Sequence, residues 1–330
     1  MPELPDITVY VEHLTRRTVG HPLEKVRLAS PFVLRTVDPP IASVSGREVE
    51  KISRLGKRLV FTFAKLEKKE EPLHLVIHLM VSGRFKWKPH GTGVPGRIGL
   101  AAFDFGPASS KRAKEKEPGT LILTEASTKK RASIHLARGD EALKALAPPG
   151  LEVLDAKTDA FAERLRSENH TLKRALTDPH LFSGIGNAYS DEILHHAQMS
   201  PVKLTSRLTD SEIAKLHASI KTVIAEWTDR LRARAGEFPE NVTAFQPEMA
   251  VHGKYGKPCP RCGGRVQRIR YADNEMNYCP PCQTEGKLLA DRSLSRLMRG
   301  DWPKTLDALE AKKDRAKSTL SGIDLKAEES

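Results

Sequence analysis

Apolar positions recur at helical spacing at the start of the chain and then change to a strand-like alternation. In residues 6–19, DITVYVEHLTRRTV, Ile7, Tyr10, Val11 and Leu14 share one face, which predicts a short helix closed by Gly20. Pro5 suits the first turn, where a missing N–H costs little. From Leu23 to about Leu136 the pattern predicts strands. REVEKISRLGKRLVFTF (47–63) reads as two strands meeting at Leu55-Gly56-Lys57, which puts Lys57 near a hairpin tip. EPLHLVIHLMVSGRFKW (71–87) and GTLILTEASTKKRASIHLA (119–137) continue the β character, and the polar, Gly/Pro-bounded GPASSKRAKEKEPG (106–119) between them reads as a flexible, solvated insertion.

LAPPGLEVL (146–154) reads as a linker into a helical half. There Thr209 and Glu212 form a capping box, and Ile213, Leu216, Ile220, Val223, Trp227 and Leu231 make one apolar face for core packing. FSGIGNAYSDEILHHAQMSP (182–201) combines a tight Gly184-Ile-Gly186 turn with a helix start. Its backbone N–H groups, with the Asn187 side chain, are suited to gripping a phosphate. A dinucleotide-binding reading is weak, since a third glycine and a βαβ setting are missing. The resulting domain limits are 1–145 for a β-rich catalytic half, 146–245 helical, 246–290 around the cysteines, and 291–330 for a charged tail poor in large apolar groups.

Composition narrows the partner. A formal charge of +12 and a pI near 9.5 point to a polyanion, nucleic acid first, although 42 acidic residues are interspersed with 54 basic ones. With no run of 18 apolar residues and no signal-peptide order at the N-terminus, a cytoplasmic chain without a membrane span is expected. All four cysteines form CPRC (259–262) and YCPPC (278–282), a C-x2-C-x16-C-x2-C spacing suited to one tetrahedral structural zinc on Cys259, Cys262, Cys279 and Cys282. A closed four-thiolate shell leaves no position for a reacting water. Removing Met1 would leave Pro2 with a secondary amine of ordinary pKa about 8, a nucleophile substantially unprotonated near neutral pH.

PELPDI, RLGKRLVF, HLMVSGRF (78–85), SGIGNAYSDEIL and the ribbon ending YCPPCQ occur in the order found in the formamidopyrimidine-DNA glycosylase and endonuclease VIII family, which the chain resembles over residues 2–283. The resemblance implies an α+β enzyme: an N-terminal β-sandwich with flanking helices, a helix–two-turns–helix domain and a zinc-ribbon finger. It also implies damaged DNA as partner, a monomer, and a base-excision glycosylase that cuts the strand by β,δ-elimination. By the same resemblance Pro2 attacks C1′, Glu3 protonates the opening sugar ring, and Lys57 approaches the lesion phosphate. Asn187 binds phosphate, and Lys173 is the basic residue before the turn.

The departures lie on the DNA-reading surface. Val81 stands where the family carries a stack-filling methionine, with Met80 beside it. Lys130-Arg131-Ala132-Ser133 aligns with the wedge region, so that Arg131 and Lys130 face DNA and Ala132 replaces an aromatic ring. Asn274 replaces a phosphate-gripping arginine, and residues 233–245 diverge where purine-specific relatives carry a lesion-capping loop. Lost wedges favour unpaired or bubble substrates. The alternative function is a non-catalytic DNA-binding member of the same fold, for which an N-terminal amine has no use. A tautomerase using Pro2 as base leaves the zinc ribbon and the charge unexplained.

Overall fold

The computed structural model describes residues 1–271, 274–289, 303–306, 308–309 and 311–312. The chain divides into two compact units, the first made of Met1–Ala156, Asp178–Gly186 and Lys221–Ala244, the second of Lys157–Thr177, Asn187–Ile220 and Phe245–Ser330. Most of the predicted tail, 291–330, lies outside the described residues. Within its described part, Leu288 N–H donates to the Lys304 carbonyl and Lys287 bridges Thr305.

In the first unit, α1 (Leu4–Thr18) starts two residues earlier than its apolar pattern predicts, with Pro5 in its first turn. Its face of Ile7, Tyr10 and Leu14 is wholly buried. Eight strands follow: β1 (Pro22–Leu28), β2 (Arg47–Leu55), β3 (Arg58–Phe63), β4 (Leu73–His78), β5 (Gly83–Pro89), β6 (Gly99–Phe105), β7 (Gly119–Glu125) and β8 (Ser133–Arg138). They form one antiparallel sheet in the order β5-β7-β6-β1-β2-β3-β4-β8. β1 and β2 touch only through Pro22↔Glu48 and Leu23↔Arg47, so the sheet folds into two four-stranded layers. Alternation sends Leu59, Phe61 and Phe63 of β3, Leu73, Leu75 and Ile77 of β4, and Phe103 and Phe105 of β6 into one shared core. Leu55 pairs with Arg58, leaving Gly56-Lys57 as a two-residue loop. Gly56 has φ +60°, and a Cβ there would meet Ser183 Oγ at 2.8 Å, so only glycine fits.

The charged insertion is docked rather than free. The buried His21 places Nδ1 2.8 Å from the Gly106 carbonyl and Nε2 2.8 Å from the Glu115 carbonyl. Glu115 pairs with Arg16 and Arg17, and Glu48 accepts from Ser109 and Ser110. Composition misled because Glu115 and Arg112 have particular charged partners and the segment's backbone is held by His21. Residues 235–244 are tied down similarly: Phe238 packs on Tyr10 and His13, the Glu237 carbonyl accepts from Arg17, Glu240 pairs with Lys88, and Arg84 donates to the Val242 carbonyl.

After α2 (Gly139–Ala145), β9 (Leu151–Glu152) pairs in parallel with β10 (Phe182–Ser183) in the first unit. The second unit holds α3 (Thr158–Arg166), α4 (Leu172–Thr177), α5 (Asn187–His196) and the first part of α6 (Asp210–Arg234). Thr209 and Glu212 exchange capping-box hydrogen bonds at the start of α6. Ile213, Leu216, Ile220, Val223 and Trp227 are buried as predicted, while Leu231 is half-buried. β11 (Gln267–Tyr271), β12 (Asn274–Tyr278) and α7 (Pro280–Gln283) complete the second unit's cysteine module. Among the described residues no helix is long and apolar enough to cross a membrane.

Removing the His21 clasp tests the docking of the insertion. Each lost hydrogen bond is worth about 1 kcal/mol. His21→Ala is therefore expected to speed tryptic cleavage at Lys111, Arg112, Lys114 and Lys116 at least about tenfold under native conditions, read by mass spectrometry.

Candidate active site and metal centre

The first unit builds its site around the beginning of α1. Glu3 is the N-cap and is 2% exposed; its Oε2 accepts the Gly186 N–H at 2.7 Å. Leu4 N–H donates to the Gly184 carbonyl at 3.2 Å, so the glycine turn holds both the carboxylate and the helix start. A Cβ on Gly186 would lie 2.4 Å from the Glu3 carboxyl carbon, which explains the glycine. The sequence suggests that this turn's N–H groups face a phosphate, but the structure gives that of Gly186 to Glu3. Pro2 is buried beside it.

Two further groups converge on the amino end. Burial lowers the pKa of the chain's terminal amine, Arg84 and Lys57 push it the same way, and Glu3 and Asp6 oppose them. Burial also lowers the Lys57 ammonium's pKa, with Glu3 partly restoring it. Asp6, which the sequence reading passed over as a helix residue, accepts the Glu3 N–H through Oδ2 at 2.9 Å. Its burial, reinforced by the Glu3 charge, raises the carboxyl to about 7. The cluster combines an amine held toward its neutral form with two carboxyl groups of different environment, which suits proton transfer at a nucleophile. A carboxylate three residues after the first proline-flanked acid is the available sequence signal.

The wedge expectations meet the core. Ala132 is 2% exposed and belongs to the core, so it does not stand in for an outward aromatic ring. Glu125 fixes that turn by accepting the Arg131 and Ala132 N–H groups, while the ammonium of the exposed Lys130 donates to the Glu125 carbonyl. Arg131 is exposed. Phe85 is fully buried against Tyr10, whereas Val81 is 53% exposed and Met80 adopts φ +53°.

In the second unit, Asn187 opens α5 and is half-buried. Lys173 is not presented to solvent. Its ammonium bonds the Asn187 carbonyl at 2.6 Å, Ser190 Oγ at 2.8 Å and Asp191 Oδ1 at 2.6 Å. Asp191, fully buried, also accepts from His252 at 2.8 Å and Asn277 at 3.1 Å through Oδ2. Glu192 accepts the successive N–H groups of Ala250, Val251 and His252 at 2.8–2.9 Å. Burial raises the Glu192 carboxyl's pKa, and the three donors oppose that rise. This acidic pair ties α5 to the cysteine module and carries no signature in the motif itself.

The four cysteine sulfurs all lie within 4.8 Å of one another, with Cys259–Cys282 at 3.9 Å and Cys262–Cys279 at 3.4 Å. Four thiolates around zinc at about 2.3 Å require edges of roughly 3.8 Å, so these residues fit one structural Zn2+. His195 Nε2 lies 3.2 Å from Cys259 Sγ, and Arg261 donates to the His195 carbonyl. Asn274 opens β12 opposite Tyr271.

Three stretches match known domain models: residues 1–137 the formamidopyrimidine-DNA glycosylase N-terminal domain, residues 146–230 its H2TH domain, and residues 256–284 a zinc finger found in FPG and IleRS. An uncharacterized formamidopyrimidine-DNA glycosylase-like protein of Mycobacterium tuberculosis is 38% identical over 151 residues, 46% of this chain and 94% of that protein. The formamidopyrimidine-DNA glycosylase of Thermus thermophilus is 29% identical over 294 residues, 87% of this chain and 100% of its own length. The Lactococcus lactis Fpg crystallised with abasic-site DNA superposes with a TM-score of 0.71 at 25% identity, covering 86% of this chain and 100% of that one. A MutM complex with carbocyclic 8-oxo-G DNA gives the same three values for score, identity and coverage of this chain.

Two outcomes test this geometry. Between pH about 4 and about 7 the folded state keeps a proton on Asp6 that the unfolded chain releases, so this group's stabilisation falls as pH rises and levels off above about 7. Asp6→Asn keeps an acceptor for Glu3 and is expected to lose that part of the pH dependence in denaturant titrations. Metal analysis of reduced protein is expected to return one zinc per chain. Chelation is expected to unfold the cysteine module before the first unit's core melts, seen as two separate transitions.

Proposed function

Because the chain belongs to the formamidopyrimidine-DNA glycosylase family, we propose that it is a bifunctional glycosylase and AP lyase that removes oxidised bases from damaged DNA. The observation that carries this reading is the Glu3 carboxylate fastened by Gly186 N–H at the buried amino end, next to the hairpin lysine. Once Met1 is removed, the Pro2 nitrogen attacks C1′ and the bond to the base breaks, the electron pair leaving with the base, which takes a proton. Glu3 protonates the ring oxygen as the sugar opens to an iminium. That electron sink acidifies the C2′ protons, and successive eliminations break the 3′ and then the 5′ C–O bonds. With Met1 in place, burial and the positive charges of Arg84 and Lys57 lower the pKa of the Met1 amine, and the same surroundings would support a neutral Pro2 nitrogen once Met1 is removed.

Lys57 is assigned to the lesion phosphate and Asn187 to a phosphate of the damaged strand. Lys173 positions Asn187 by holding its carbonyl, and Arg131 reaches the opposite strand; Lys130 orders the turn that carries Arg131. With Phe85 and Ala132 committed to the core, stack filling falls to Val81 and Met80, which supports weak discrimination against unpaired substrates. A purely DNA-binding role would leave the buried amine, Glu3 and Asp6 without a task.

Borohydride is expected to trap a protein–DNA adduct through Pro2 on abasic DNA, located by peptide mass mapping. Glu3→Gln is expected to slow base excision at least about tenfold more than cleavage of a preformed abasic site, a difference of roughly 1.4 kcal/mol in barrier. Adduct on a lysine, or equal losses on both substrates, would contradict the assignment.

A further inference from the structure

The sheet face turned away from the core carries a row of two arginines and two histidines with no carboxylate set against them. The strand registers put Arg58 opposite His78 and His78 opposite Ser133, and His135 stands two residues further along β8 on the same face. Arg35 joins the row from the segment covering β8: its N–H donates to the Ile134 carbonyl at 2.8 Å, Leu34 bridges Ile134, and Thr36 Oγ accepts from Leu136. Burial lowers the Arg58 guanidinium's pKa. Behind burial, Arg58 and Lys57 push His78 down to about 4, while Arg58 and Arg35 push His135 down. Among the described residues, no salt bridge reaches Arg35, Arg58, His78 or His135, and Asp38 is the one acidic residue between 30 and 46. Two guanidinium groups left without a counter-charge, Arg58 half-buried and Arg35 exposed, with the His78 and His135 rings beside them, form a site for an anion.

The same loop exposes a large ring. Phe32 is 80% and Val37 92% exposed, with the exposed Arg35 between them. An aromatic face alongside a cationic track is the combination by which single-stranded nucleic acids are held, bases stacking and phosphates following the charges. Charge complementarity favours this occupant over an apolar protein surface, which would meet the Arg35 charge three residues from Phe32. We propose that residues 31–37 are a docking platform for an unpaired DNA strand, with Phe32 stacking on a base and Arg35, Arg58 and His135 receiving the phosphates that lead away from the reacting nucleotide. This deepens the proposed function and rests on it, since Arg58 directly follows Lys57 and continues the same track.

The test is fluorescence anisotropy of the full chain with a labelled oligothymidylate of roughly 20 nucleotides, longer than a single-module site, at fixed salt. Phe32→Ala is expected to weaken binding about tenfold while changing affinity for an abasic duplex less than about twofold, because only the unpaired base offers a free face. Phe32→Trp is expected to bind as the parent does, with its added emission quenched by the oligonucleotide. Thermal melting verifies folding, and the exposed position predicts unchanged midpoints. No binding of the oligonucleotide by the parent, unchanged affinity in Phe32→Ala, or equal loss on single strand and duplex would each overturn the platform. Loss of self-association in Phe32→Ala with single-strand affinity intact would assign the loop to a second copy and overturn it too. Borohydride trapping of the parent on abasic duplex is run in parallel. Failure there removes the glycosylase reading, whereas the oligonucleotide arm still judges the platform.

Discussion

One hydrogen bond organises the amino end of the first unit: the Gly186 N–H donating to the Glu3 carboxylate across 183 residues of sequence. A buried carboxylate is costly unless its oxygens are satisfied, and a backbone amide supplies a donor without adding a second charge. The bond also demands glycine, because any side chain at 186 would occupy the carboxylate's place. The first turn of α1, the Gly-Ile-Gly turn and the amino terminus are therefore one structural unit. Asp6 closes it by taking the Glu3 N–H.

The second unit repeats the strategy with different chemistry. Asp191 and Glu192, adjacent on α5, satisfy a lysine, a histidine, an asparagine and three consecutive backbone amides. Such a network is strongly specifying when every member has a partner, since each alternative arrangement leaves a buried charge unpaired. It places the helix that begins at Asn187 and the module that binds zinc under common control. His195, from the same helix, reaches the metal's Cys259 ligand.

Local regularities were legible in the residue order. The α1 face, the hairpin at Gly56-Lys57, the Thr209–Glu212 box and the cysteine spacing each depend on neighbours within a few turns or strands. What escaped was non-local. Nothing near Gly186 reveals that its amide belongs to Glu3, and nothing near Lys173 reveals Asp191 as its partner. The insertion at 106–119 has the composition of a solvated loop, yet His21, Glu48 and the arginines of α1 receive it. Ala132 sits in a polar, basic stretch, but it immediately precedes β8 and shares the parity of Ile134 and Leu136, which places its methyl group in the core.

The borders of the sheet have a consequence for the protein's behaviour in a crowded solution. A sheet edge that offers free amides and carbonyls can recruit a strand from another chain and start aggregation. At one border, residues 34–36 already occupy the β8 edge. At the other, β5 carries Arg84, Lys86 and Lys88 at alternate positions and ends in Pro89, so an incoming strand meets charge and then a residue without a donor. The fold thereby keeps a wide, strongly β-forming sheet from templating its own polymerisation, without closing it into a barrel.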